Sequence, residues 1–170
     1  MKTLILFRHG KSDWKSDYGA DHDRPLAKRG RSAAATMGAM LARIEQIPDR
    51  VLTSSAVRAR ETIELAAEAG GWKCPVEIVP EFYGSSPATV VARVREEDDA
   101  VSSLLLTGHE PTWSTLATEL TGGGFLRFPT AAMVRIDLDL DSWSRLEADK
   151  GTLVWFVIPR LIKAMGFRAD

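Results

Sequence analysis

The chain has 170 residues, 45% of them hydrophobic and 26% charged, with a formal net charge of −1. These values fit a globular domain able to bury a core, and the near-neutral balance gives no electrostatic footprint for nucleic acid or an acidic membrane surface. Cys74 is the sole cysteine, which excludes an intrachain disulfide.

The first element is a strand over residues 3–8, where Leu4, Ile5, Leu6 and Phe7 make a nearly continuous apolar run, as in a strand covered on both faces. Four such residues are too few for a signal-peptide core, and no stretch reaches the length of a membrane span, so the expectation is a cytoplasmic protein. Arg8, His9 and Gly10 follow where the strand runs out. A polar loop with Asp13, Asp17, Gly19 and Asp21 leads to Pro25, which opens a helix to about residue 44 with an apolar stripe at Leu26, Ala33, Met37, Met40 and Leu41. A short strand at 51–53 precedes a helix at 56–69, which Ser54 or Ser55 is placed to cap and Gly70-Gly71 to end. A third strand at 76–79, a loop at 80–87 and a helix at 88–97 come next. A leucine-rich strand at 103–107 then turns through Gly108-His109-Glu110-Pro111 into a helix at 112–120. After the Gly122-Gly123-Gly124 break, 133–140 and 152–158 read as closing strands. No repeat or linker marks a second domain, so residues 1–170 are taken as one. The alternation predicts a three-layer α/β/α sandwich with a mostly parallel central sheet.

Three places share one pattern, in which a strand ends, a polar cluster follows and a helix begins: Arg8-His9-Gly10, Ser54 to Thr62, and Gly108 to Pro111. In a parallel sheet all three lie on the same edge, where α/β folds bind ligands. Arg8, His9, Arg58 and His109 are thereby expected to converge. Two guanidiniums, two imidazoles and nearby helix N-termini suit a dianionic phosphoryl group. Arg60 lies about 200° further round its helix than Arg58 and so on another face. His22 has no partner at ligand spacing, and no metal site is expected.

With these residues in place, the chain resembles the histidine phosphatase, or phosphoglycerate mutase-like, superfamily, and within it the small SixA-type phosphohistidine phosphatases. The likeness rests on Arg8-His9-Gly10, on Asp23-Arg24-Pro25-Leu26 with Arg29-Gly30, and on Ser54 through Thr62. It extends to Leu106-Thr107-Gly108-His109 with Pro111, to Phe128-Pro129-Thr130-Ala131, and to the strand from Trp155 to Pro159. It implies the phosphoglycerate mutase-like fold and a phosphatase needing neither cofactor nor metal. His9 would be the nucleophile, and Arg8, Arg58 and His109 would hold the phosphoryl oxygens. Glu81 is the positional match to the general acid that mutase-type relatives carry after the third strand. Glu110 stands where relatives often have asparagine. The implied partner is a phosphohistidine protein. A phosphatase, or less favourably a mutase, of small phosphorylated metabolites is the alternative, and a phosphoryl-binding module without turnover is the non-enzyme alternative.

Overall fold

The structure is a computed structural model, and it describes residues 1–167. Six strands form one sheet: β1 (Lys2–Arg8), β2 (Arg50–Ser54), β3 (Val76–Val79), β4 (Ser103–Gly108), β5 (Met133–Leu138) and β6 (Gly151–Val157). Their spatial order is β3-β2-β4-β1-β5-β6. The first four in that order run parallel, and β5 is antiparallel to both β1 and β6. The helices are α1 (Lys28–Arg43), α2 (Val57–Gly70), α3 (Pro87–Val94), α4 (Thr112–Leu120) and α5 (Pro159–Ala164).

Strand side chains alternate between faces, and the sheet accordingly divides two cores. Leu4, Leu6, Leu52, Leu104 and Leu106 pack with Val90 and Val94 of α3 and Trp113 and Leu116 of α4. Ile5, Phe7, Val51 and Leu105 pack on the other face with Met37 and Leu41 of α1 and Ile63 and Ala66 of α2. The result is the expected three-layer α/β/α arrangement. Among the described residues no helix is long and apolar enough to cross a membrane.

Several local expectations are corrected. The first helix begins at Lys28 rather than Pro25. Leu26 instead forms an isolated antiparallel bridge with Ser12, and its N–H donates to Glu61 Oε2 at 2.6 Å. The second helix has Ala56 at its N-cap, without a side-chain cap; the Ser54 hydroxyl is engaged by His109. The segment after β3 contains a single 3-10 turn, Pro80–Phe82. Ser86 then caps α3, accepting from the Thr89 N–H, so that helix starts at Pro87 and ends at Val94, short of the expected 97. The closing strands are shorter or shifted by a residue, and α5 was not anticipated.

Register does the most to build the site. Arg8 lies opposite Gly108 in the β1–β4 pair. The next residue on each strand is a histidine, and the His9 N–H donates to the Gly108 carbonyl at 3.1 Å. Gly108 must lack a side chain here, since a Cβ would come within 2.3 Å of the Trp113 ring.

Candidate active site

At the carboxyl ends of β1, β2 and β4 the chain encloses a pocket of about 490 Å³ lined by Arg8, His9, Arg58 and His109, among others. Four of the five residues singled out from the sequence therefore meet in one place. Glu81 does not join them: it is solvent-exposed on the 3-10 turn after β3 and is not among the lining residues. Tyr83 and Gly84, two and three positions on, do line the pocket.

His9 is 7% exposed. Its Nδ1 lies 2.7 Å from the carbonyl oxygen of Gly10. A carbonyl accepts only, so neutral His9 carries its proton on Nδ1 and its lone pair on Nε2. The ring pKa is lowered to about 3, first by burial and then by the neighbouring His109, with the Arg58 and Arg8 charges contributing less. Withdrawal from water is thus a larger cause than the two guanidiniums. The two histidine rings stand 5.0 Å apart. His109 Nε2 is 2.8 Å from Ser54 Oγ, a contact that fixes the ring against β2. Burial, followed by the Arg58 charge, lowers His109 to about 4.

The arginines are held from behind. Arg8 Nη1 donates to the Phe128 carbonyl at 2.6 Å. Arg58 Nη1 donates to the Asp21 carbonyl at 2.7 Å and its Nη2 to Asp21 Oδ2 at 3.1 Å. Both arginines keep a buried Nε without a partner. Such groups carry a desolvation cost that an incoming anion offsets.

Asp21 is the residue that sequence reasoning missed. It accepts from Arg58, from the Tyr83 hydroxyl at 3.0 Å and from Arg24 Nη2. Burial works against its ionisation, but the hydrogen bonds from Arg24 and Tyr83 and the charge of Arg58 prevail and hold the carboxyl below its ordinary range. Arg24 is also buried, donates to Ser12 Oγ at 2.8 Å, and lies 3.4 Å from the ring centre of Trp14. Trp14, 63% exposed, lines the pocket, whereas Tyr18 is not among the lining residues. His22, outside the pocket lining, pairs with Ser55 Oγ at 2.9 Å. Glu110 lines the pocket, with Oε1 accepting from the Ser114 N–H at 3.0 Å. A neutral, correctly protonated imidazole faced by fixed cationic donors is an arrangement suited to covalent phosphoryl transfer.

Comparison with known proteins agrees with this chemistry. The sequence pattern of the histidine phosphatase superfamily (branch 1) matches residues 4–84. The uncharacterized protein ML1117 of Mycobacterium leprae (strain TN) is 34% identical over 165 residues, which cover 90% of this chain and 99% of that protein. Phosphohistidine phosphatase SixA of Escherichia coli (strain K12) is 27% identical over 163 residues, 94% of this chain and 96% of that protein. A structure of the protein histidine phosphatase SixA complexed with tungstate superimposes with a TM-score of 0.82 at 26% identity, covering 94% of this chain and 99% of the other.

Proposed function

The chain belongs to the histidine phosphatase superfamily and is a phosphatase; from that premise we propose that it removes the phosphoryl group from phosphohistidine in a protein, without a metal, and acts as one domain in the cytoplasm. The observation that carries this reading is the tautomer of His9, whose Nδ1–H is committed to Gly10 while Nε2 is left as a base inside a cationic pocket.

His9 Nε2 attacks phosphorus as the bond from phosphorus to the substrate nitrogen breaks. Arg8, Arg58 and the neutral His109 ring hold the oxygens as charge redistributes, the two guanidiniums supplying the positive field that a metal provides in other phosphatases. Water then attacks the phosphohistidine of the enzyme, releasing phosphate and restoring the neutral ring. The leaving group favours the protein reading over an alkyl phosphate. A departing imidazole has a second nitrogen that takes a proton from solvent, whereas a departing alkoxide needs a positioned acid. Glu81, the expected acid, is not in the pocket wall.

The test is phosphate release from a phosphohistidine protein and from an aryl phosphate, by the wild type and His9→Ala, with and without a chelator. The wild type should turn over both regardless of chelator, and His9→Ala neither. Turnover by His9→Ala overturns the nucleophile, loss on chelation overturns the metal-free mechanism, and activity on the aryl phosphate alone moves the substrate to small metabolites.

A further inference from the structure

A second pocket, of about 420 Å³, adjoins the first and shares Lys11 and Thr130 with it. Its lining includes four cations: Lys11, Arg29 at the start of α1, and Arg160 and Lys163 of α5. No acidic residue lines it. Among the described residues none of these four forms an ion pair, although twelve ion pairs occur elsewhere in the molecule. In a chain of net charge −1, four unpaired cations around one hollow are a concentration that the composition does not require. Lys163 is held toward α1 by a 3.1 Å hydrogen bond to Ser32 Oγ, so the groove has a cation on each wall. Between the charges the surface is apolar, with Ala33, Ile158 and Pro159.

We propose that this groove binds an acidic segment of the phosphoprotein substrate, adjacent in the chain to the phosphorylated histidine. The assignment rests on the protein-substrate reading above. Charge complementarity supports it, as does continuity, because a chain whose phosphohistidine lies at His9 has a path past Lys11 and Thr130 directly into the groove. Alternating acidic and small apolar side chains match its lining. An interaction of this kind acts through association, lowering KM while leaving the chemical step unchanged.

The experiment uses two phosphohistidine peptides of equal length, one flanked by Asp and Glu and the other by Ser and Asn, with the wild type and the double variant R160E/K163E. An aryl phosphate, too small to reach the groove, serves as control. The wild type should favour the acidic peptide about tenfold in kcat/KM, through KM, with the preference shrinking in about 0.3 M salt. The double variant should abolish or invert that preference while its aryl phosphate turnover stays within about twofold of wild type. Equal kcat/KM on the two peptides in the wild type, or a preference that survives the charge reversal, overturns the groove assignment alone. Hydrolysis of the aryl phosphate but of neither peptide overturns the protein-substrate reading and this inference with it. No acidic preference among peptides, together with a preference for a small bisphosphate over a monophosphate that the variant loses, reassigns the groove to a metabolite and overturns the peptide.

Discussion

A nucleophilic imidazole must keep its lone pair at the pH where it works, and His9, the nucleophile of the proposed mechanism, does so by two separate means. Burial sets whether the ring is charged, and the Gly10 carbonyl sets which nitrogen holds the proton. Asp21 complements this from the opposite side, since a carboxylate shared by Arg24, Arg58 and Tyr83 fixes the Arg58 guanidinium before substrate arrives. Preorganised donors of this kind need no reorganisation when charge moves. Glu81 is outside that network. Glu81→Gln should therefore change the hydrolysis of alkyl and aryl phosphates alike, by less than about twofold, because a positioned acid is worth about a hundredfold or more where one acts. A large loss confined to alkyl phosphates, whose leaving groups need the proton most, would return Glu81 to the mechanism. Parallel rate measurements on one alkyl and one aryl ester suffice to decide.

Elements fix where those residues stand. The pairing of α1 with α2 depends on Gly38, where a Cβ would sit 2.1 Å from the Ala66 carbonyl oxygen and 2.4 Å from its Cα. Backbone cannot yield as a side chain does, so Gly38→Ala must push the two helices apart. The expected cost is about 1–3 kcal/mol, as for other overpacked cores, read as a lower urea midpoint at unchanged slope. Activity per folded molecule should stay near wild type, because Gly38 is not among the residues that line the pocket. An unchanged midpoint would contradict the close approach. The same elements explain what was legible in the sequence. Strand-end motifs were readable because parallel topology turns three separate Arg and His clusters into neighbours, and the one-residue match of His9 with His109 follows from strand register. The loop between β1 and α1 was not readable. Asp21, Arg24 and Trp14 have no periodicity, and their partners lie across the pocket or nearby in a fold-dependent arrangement. The start of α1 was misjudged for a related reason: Pro25 suits a helix start locally, but Leu26 finds its hydrogen bond on Glu61 of α2. Glu81 was placed by distance along the chain alone, and the turn Pro80–Phe82 buries Phe82 while leaving Glu81 in solvent.

For the whole molecule, the two lowered histidines link the chemistry of the site to folding. An unfolded chain protonates His9 and His109 near their ordinary value of 6.5, whereas the folded chain resists until about 3 and about 4. Between those limits the unfolded state binds more protons than the native one, so stability rises with pH and falls on acidification. The contribution is complete above about pH 6.5 and declines steadily below it. From pH 7 to pH 5 both native rings remain neutral, and the loss is roughly 2 kcal/mol for each, about 4 kcal/mol for the pair. Asp21 acts in the same direction but lower on the pH axis: its lowered pKa confers stability that is lost only below the ordinary carboxylate range, so it does not contaminate this window. Urea unfolding at pH 7 and pH 5 should therefore show a marked drop for the wild type and a much smaller one for the double variant H9N/H109N, each compared with its own value at pH 7. Equal drops in the two proteins would mean that the histidines titrate normally in the native state, and that the neutral nucleophile at the centre of the proposed mechanism is not prepared by the fold.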